Sequence, residues 1–290
     1  MNDMIGERHT AHLNGIDIHW VSAGYGPPVY LLHGFPETSY GWRKQIPVLA
    51  ENYTVIAPDL RGYGDTEKPG TGYDKRTMAQ DLLALMDHLG HQRIALVGHD
   101  RGARVATRFA KDHPDRLDRL VVMDNIPTRV VAETYDLQKA RAGYWFFTFL
   151  TVPELPEVLI AGKEREFIEH FFRTWSYDPD MLSEKEIEVY ADAYRQPGAI
   201  KGACDDYRAG RDDVAQDTAD RDTLIECPVL ALWGADFDAV GRAYDVEAVW
   251  RTIARDVRGV AIDHCGHLCQ EERPDIVNDQ LTAFLNTWKG

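Results

Sequence analysis

The sequence has 290 residues, of which 44% are hydrophobic and 27% charged, and its formal net charge at pH 7 is −15. This length and composition are typical of a globular protein that folds around one large core. A strongly acidic chain lacks the basic face that nucleic acid binding requires. No apolar run reaches the length of a membrane span, and the first residues have no signal-peptide core. We therefore expect a cytoplasmic protein with neither nucleic acid nor membrane as a partner.

The first predicted element is a β-hairpin. Asn14 and Gly15 separate two short runs, and Ile16, Ile18 and Trp20 alternate with polar residues in the second run. Short, continuously apolar runs follow, and these are typical of parallel strands buried on both faces. They are residues 29–32, 55–57, 94–97, 120–123 and 229–233.

Helical patterns lie between these runs. Apolar residues recur at three- and four-residue steps in residues 78–89 and again in residues 277–288. Strands that alternate with helices predict an α/β fold, with a parallel sheet covered by helices on both faces.

One segment interrupts the alternation. Residues 127–211 contain no convincing strand but many aromatic side chains, and Ser183 with Glu186 forms a capping box ahead of a helix. We predict a helical lid over residues 127–211 and a core domain formed by residues 1–126 and 212–290. Most of the lid aromatics are expected to pack the lid onto the core.

The strongest local motif is Gly98-His99-Asp100-Arg101-Gly102, which stands between an apolar strand and a helix. This is the context of a nucleophile elbow, in which glycines allow a sharp turn and the central side chain projects above the sheet. A carboxylate there is suited to displacement at a saturated carbon, which leaves an ester that water then cleaves. The alternative is that Asp100 only caps the helix.

Cleavage of that ester requires a base. His267 follows the last apolar run, residues 260–262, and a histidine titrates near neutrality. The pattern of strands does not identify the acid that orients His267. Asp124 follows one predicted strand, while Asp236 and Asp238 follow another, and the carboxyl ends of parallel strands face the same cleft.

The loop at His33-Gly34-Phe35-Pro36 follows a predicted strand. The backbone N–H groups of Phe35 and Arg101 would stabilise the oxygen of the Asp100 ester when the ester carbon becomes tetrahedral.

Arg101 and Arg104 are three residues apart at the start of the elbow helix, so their side chains point to one side. A guanidinium is a bidentate partner for a carboxylate, and this pair would capture an acidic substrate and keep Asp100 ionised. The alternative is a salt bridge to lid acids such as Asp205 or Asp206.

The run from His264 to Cys269 holds two histidines and two of the four cysteines. No second cluster supplies ligands at zinc-like spacing, so we expect neither a metal nor an organic cofactor. The cysteines are expected to be free thiols.

Several motifs along the whole chain together resemble haloacetate dehalogenases, including fluoroacetate dehalogenases. The resemblance implies the α/β-hydrolase fold, with a mostly parallel eight-stranded sheet and a helical cap, and it implies a homodimer. The HGFP and DLRGYG elements are shared with epoxide hydrolases and haloalkane dehalogenases. The motifs are HGFPE, VGHDRGARVA, MDNIPT, the Tyr144-Trp145 pair, DDYRAG, LALWGAD and the late GH.

The resemblance also implies roles for individual residues. Asp100 is the implied nucleophile, His267 the base and Asp124 its acid. Arg101 and Arg104 are the implied carboxylate clamp. The indole N–H of Trp145 and the phenol O–H of Tyr207 are the implied donors to the departing halide. The expected substrate-binding residues are Arg101, Arg104, Phe35, Tyr144, Trp145, Tyr207 and Trp175.

We therefore expect hydrolysis of small 2-haloacids to 2-hydroxy acids and halide. One departure from the family pattern is Tyr144, because members that cleave fluoroacetate carry a histidine just before the tryptophan. This departure raises the alternative of an epoxide hydrolase that uses Tyr144 and Tyr207 as lid acids. Against it, epoxide hydrolases commonly have an aromatic residue after the nucleophile, where this chain has Arg101.

Overall fold

The computed structural model describes residues 6–288, in which eight strands form one sheet. The order across the sheet is β1-β2-β4-β3-β5-β6-β7-β8; β2 is antiparallel to β1 and β4, and the other neighbours are parallel. The predicted fold class is confirmed. In chain order, strands β1 to β8 are Glu7–Leu13, Ile16–Ala23, Pro28–Leu32, Thr54–Pro58, Ile94–His99, Leu117–Met123, Val229–Gly234 and Val257–Ile262.

The hairpin predicted at the start of the chain joins β1 to β2. Leu13 pairs with Ile16, so only Asn14 and Gly15 form the turn. Both turn residues have positive φ angles, 49° and 79°, as a tight hairpin turn matched to the twist of its strands requires.

Fourteen α-helices are present in residues 6–288. Among those residues, no helix combines the length and the apolar composition that a bilayer span requires. A π-helical turn, Ala140–Tyr144, stands between α5 and α6. In chain order, α1 to α14 are Ile46–Leu49, Lys75–Leu89, Arg101–Asp112, Thr128–Thr134, Leu137–Lys139, Trp145–Thr151, Leu155–Ile160, Glu164–Trp175, Glu184–Arg195, Ala199–Arg208, Gly210–Ala219, Val246–Trp250, Cys269–Glu272 and Pro274–Leu285.

The sheet separates two layers of core side chains. In β3, Tyr30 and Leu32 belong to the layer that contains α2 and α3, while Val29 and Leu31 belong to the layer that contains α14. Successive side chains of a strand point to opposite faces, and both faces are covered here. This explains why the parallel strands read as unbroken apolar runs.

The lid is the chain between β6 and β7. Helices α4 to α11 occupy Thr128–Ala219, and within the described chain no strand interrupts them. Helix α9 begins with the capping box predicted at Ser183 and Glu186. Helix α11 runs across residue 211, where we set the domain boundary, and the division into two domains stays a prediction.

Candidate active site

Asp100 lies at the sharp turn between β5 and α3. Its backbone has φ 43° and ψ −109°, a conformation that costs a non-glycine residue about 1–3 kcal/mol. The flanking glycines are required by close contacts: a Cβ at Gly98 would lie 2.6 Å from the Gly102 oxygen, and one at Gly102 would lie 2.3 Å from the Leu32 oxygen. In the described chain the Asp100 side chain makes no capping hydrogen bond to α3. The turn therefore presents the carboxylate above the sheet.

The Asp100 carboxylate is buried, with 8% of the residue exposed, and it accepts a hydrogen bond of 3.1 Å from the Phe35 backbone N–H. Burial alone would raise its pKa. Electrostatic interactions with His267, His99 and the two arginines outweigh burial and hold the pKa of Asp100 below its usual value. Asp100 is therefore an ionised carboxylate beside a backbone donor.

His267 and Asp124 form a buried pair, with His267 Nδ1 donating to Asp124 Oδ2 at 2.5 Å. The second Asp124 oxygen accepts the Gly234 N–H at 3.0 Å, which fixes the carboxylate. The competing acids lie elsewhere, since Asp236 and Asp238 accept hydrogen bonds from Arg242. Of the three acids that the strand pattern left open, the structure pairs Asp124 with the histidine.

A buried ion pair behind His267 was not assigned a role from the sequence. His99 Nδ1 lies 2.9 Å from a Glu37 oxygen, and His99 Nε2 donates to the His267 backbone oxygen at 2.9 Å. Burial alone would lower the pKa of His99, but Glu37 raises it to about 9. Both residues belong to motifs that we quoted for the family resemblance, and this was the only signal in the sequence.

Asp100 and the His267–Asp124 pair line a cavity between the core and the lid. Its polar lining includes Asp100, Asp124, His267 and Arg104, and its remaining walls are mainly aromatic and aliphatic. Such a cavity, apolar with a few convergent polar groups, is the usual form of a small-molecule site. The lid contributes Tyr144, Phe146, Phe147 and Trp175 to it.

The structure brings Arg101 to a lid acid. Its Nε and Nη2 atoms donate to the two Asp206 carboxylate oxygens at 2.8 and 2.9 Å, and Nη2 also donates to the Asp206 backbone oxygen at 2.8 Å. Lys75 and the Tyr63 hydroxyl donate to the same carboxylate. The expectation of two arginines free to clamp a substrate is therefore corrected, because the salt-bridge alternative describes Arg101.

Arg104 has a different position. It lines the cavity beside Asp100, its Nη1 atom donates to the Thr128 hydroxyl at 2.7 Å, and its guanidinium lies 5.7 Å from the centre of the Phe147 ring. Of the two arginines, Arg104 is the one that lines the cavity.

Tyr144 and Tyr207 are both buried, and both rings contact Phe147, with ring-centre distances of 4.9 and 5.3 Å. The Tyr207 hydroxyl has no hydrogen-bond partner among the described residues. Burial raises the pKa of both phenols, and Asp100 is the neighbouring charge that raises the pKa of Tyr207 most. Both side chains are therefore protonated donors close to the nucleophile.

Trp145 does not line this cavity. It is 40% exposed, and its ring stacks on Phe171 at 5.7 Å on the outer side of the lid. It lines a separate outer cleft instead. The expectation that its indole N–H serves a departing halide next to Asp100 is corrected by this position. Trp175, in contrast, lines the cavity as expected.

Comparison with known proteins defines the class. The family model described as alpha/beta hydrolase fold matches residues 27–274. The soluble epoxide hydrolase of Corynebacterium sp. (strain C12) is 38% identical over 280 residues, which cover 96% of this chain and 96% of that protein. The fluoroacetate dehalogenase of Burkholderia sp is 37% identical over 288 residues, 97% of this chain and 94% of that protein.

Solved structures of similar proteins have the same fold. ALR0039 from Nostoc sp PCC 7120 superimposes with a TM-score of 0.93 at 40% identity, over 96% of this chain and 97% of that chain. The protein therefore belongs to the α/β-hydrolase family and is a hydrolase. Its relatives include enzymes named for two different substrate classes, epoxides and fluoroacetate.

Proposed function

We propose that this hydrolase opens epoxides to vicinal diols through an ester of Asp100. The observation that carries the proposal is the pair of buried, protonated phenols, Tyr144 and Tyr207, on the lid side of the nucleophile. Ring opening of an epoxide produces an alkoxide on the substrate itself, and a phenol O–H is a suitable proton donor for it. The largely apolar walls of the cavity suit a neutral substrate.

The first step forms the ester. An Asp100 oxygen attacks one epoxide carbon, the bond from that carbon to the ring oxygen breaks, and the released oxygen takes a proton from one of the two phenols. The charge that Asp100 loses thus appears on the phenolate, which the second phenol and Arg104 stabilise. The substrate is then held as a hydroxyalkyl ester.

The second step hydrolyses the ester. His267, oriented by Asp124, takes a proton from water while the water oxygen attacks the Asp100 carbonyl carbon. The Phe35 N–H, already bonded to Asp100 Oδ2, supports the developing oxyanion. The ester C–O bond then breaks, and the departing alkoxide takes the second proton of the water from the new Asp100 hydroxyl, which leaves Asp100 ionised. The diol leaves, and the proton on His267 returns to the phenolate.

The sequence motifs by themselves favour haloacids over epoxides as substrates. Two observations in the structure support epoxides instead. Arg101 already satisfies Asp206 with two of its nitrogens, so a substrate carboxylate would have to compete with a buried ion pair. Trp145 lies outside the cavity and does not supply a halide donor there.

Hydrolytic dehalogenation of small 2-haloacids is the second candidate, and Arg104 is the observation that favours it. This arginine lines the cavity beside Asp100 and offers one cation to a substrate carboxylate. Asp100 would then displace halide from the α-carbon, and the same second step would release a 2-hydroxy acid.

One assay separates the two candidates. Diol formation from styrene oxide is measured beside halide release from chloroacetate, bromoacetate and fluoroacetate, with the Asp100→Asn protein as the background control. We expect diol formation well above the control and a lower kcat/KM for each haloacid. Halide release without diol formation would reject the proposal in favour of the second candidate.

A further inference from the structure

The loop that carries His267 is hydrogen-bonded to the lid as well as to the core. On the core side, the His267 backbone oxygen accepts from His99 Nε2 at 2.9 Å. On the lid side, the His267 backbone N–H donates to the Trp175 backbone oxygen at 2.7 Å. Trp175 is the last residue of α8, and the last carbonyls of a helix have no partner within the helix. His267 therefore provides a donor that this end of the lid helix requires.

Glu272, the last residue of α13, is bonded to both segments. One of its carboxylate oxygens accepts the Gly266 N–H at 3.0 Å, and the other accepts the Tyr177 N–H at 2.6 Å. Gly266 directly precedes the histidine, and Tyr177 lies two residues beyond the end of α8. A single carboxylate thus connects the loop of the base to the chain that leaves the lid helix.

The two segments are in close backbone contact. A Cβ at Gly266 would lie 2.1 Å from the Trp175 oxygen and 2.8 Å from the Tyr177 nitrogen. The Trp175 ring also lines the cavity around Asp100 and lies 4.9 Å from the centre of the His267 ring. A displacement of this end of α8 would therefore move both the cavity wall and the base.

We infer that Glu272 is a positioning residue for ester hydrolysis, because its carboxylate fixes the His267 loop against the end of α8 and so orients the base. The inference rests on the proposed Asp100 ester, which both candidate functions share. Formation of that ester requires no proton transfer to His267, whereas its hydrolysis does. Loss of the Glu272 contacts should therefore slow the second step and leave the first unchanged.

Single turnovers with excess enzyme separate the two steps. Styrene oxide or bromoacetate is mixed with the protein, and mass spectrometry of the peptide that contains Asp100 gives the rates at which the ester appears and disappears. Glu272→Gln replaces one accepting oxygen by an amide nitrogen that cannot accept. It should slow disappearance of the ester about 10- to 100-fold, as expected for a misplaced catalytic group, and leave its appearance unchanged. A purely structural defect would not change the ratio of the two rates.

Asp275→Asn is the matched control, since it makes the same acid-to-amide change three residues further along the chain. The Asp275 side chain is 72% exposed and lies 3.9 Å from Arg273, so both rates should stay at their native values. Glu272→Asp keeps the charge on a side chain one methylene shorter and should slow only the second step, to a smaller degree. An unchanged ratio of the two rates in Glu272→Gln, or in Glu272→Asp if the first variant does not fold, overturns the inference.

Hydrogen exchange tests the positioning without turnover. The backbone amides of Gly266, His267 and Tyr177 are the donors in these contacts. All three should exchange faster in Glu272→Gln and at the native rate in Asp275→Asn, as measured by NMR. Native protection of these amides in Glu272→Gln overturns the inference. If the native protein forms no ester from either substrate, the proposed function fails, and hydrogen exchange alone decides the role of Glu272.

Discussion

At the scale of single residues, the proposed reaction depends on one charged carboxylate and two neutral phenols. Tyr144 lines the cavity around Asp100, and Tyr207 packs on the Phe147 ring of that cavity. Electrostatic interactions with His267, His99, Arg101 and Arg104 keep the pKa of Asp100 low despite burial. Tyr144 and Tyr207 are raised in pKa by the same burial. Asp100 is therefore ionised, while burial keeps both phenols protonated although Arg104 lowers the pKa of Tyr144 and Arg101 lowers that of Tyr207.

Removal of the two phenols should slow ring opening. Tyr144→Phe and Tyr207→Phe should each reduce the rate of ester formation, and the double variant should reduce it by about 10²-fold or more, since general acid catalysis contributes 10²–10⁴-fold. Stopped-flow single turnovers of styrene oxide measure this step. Tyr25→Phe, at a residue that is 92% exposed, is the matched control. A double variant with the native rate of ring opening would contradict the acid role.

The His99–Glu37 ion pair predicts a pH dependence of stability. The pKa of His99 is raised from 6.5 to about 9 in the folded protein, so its contribution is fully present below pH 6.5 and is lost as pH rises through 9. The free energy of unfolding of the native protein should therefore fall between pH 6.5 and 9 more steeply than that of His99→Gln. Chemical denaturation at several pH values measures both slopes, and equal slopes would show that His99 is neutral in the fold.

At the scale of elements, a buried charge cluster fastens the lid to the core. Asp206 on α10 accepts from Arg101 on α3, from Lys75 on α2 and from the Tyr63 hydroxyl. Burial would raise the pKa of Asp206, but Arg101 and Lys75 outweigh burial and lower it. The carboxylate is thus ionised and paired, and it connects the lid to the helix that follows the nucleophile.

Neutralising that carboxylate should destabilise the protein. Asp206→Asn leaves Arg101 and Lys75 buried without their partner, and breaking a buried pair costs about 3–5 kcal/mol. The neighbouring change Asp205→Asn is the control. It removes pairs with Lys201 and Arg208, whose side chains are 56% and 23% exposed, and such solvent-accessible pairs contribute about 0–1 kcal/mol each. Urea denaturation gives both values, and equal losses would contradict a special role for the Asp206 cluster.

The elements that the sequence predicted well are those that depend on local patterns. The Asn14-Gly15 hairpin, the apolar parallel strands and the capped helix α9 are all set by residues close together in the chain. The elbow was also recognisable, because its glycines are required by contacts within one turn. The partner of Arg101 was harder to assign, since Asp206 lies 105 residues away and the sequence offered Asp205 equally.

The positions of Tyr144 and Trp145 show a second limit. Neighbouring helical residues point about 100° apart, so only one of this pair faces the cavity. The π-helical turn Ala140–Tyr144 changes the phase at which α6 begins, and no sequence signal marked that turn. The sequence analysis assigned both residues to the substrate site, and only Tyr144 lines the cavity around Asp100.

At the scale of the whole molecule, the proposed reaction requires both the core and the lid. The core contributes Asp100, His267 and Asp124 at the carboxyl edge of the sheet, and the lid contributes Tyr144 to the same cavity and Tyr207 on the Phe147 ring. The chain carries a net charge of −15, yet the groups nearest to Asp100 are positive. The net negative charge of the chain therefore does not determine the pKa of Asp100, which depends on the groups close to it.

The central claim is that an Asp100 oxygen bonds to the substrate before water does. A single turnover of styrene oxide with excess enzyme in ¹⁸O-labelled water tests it most directly, with mass spectrometry of both the diol and the peptide that contains Asp100. The account predicts that the label appears in the Asp100 carboxylate and that the first diol released carries none. Label in the first diol, with an unlabelled Asp100 peptide, would mean direct attack by water and would contradict it.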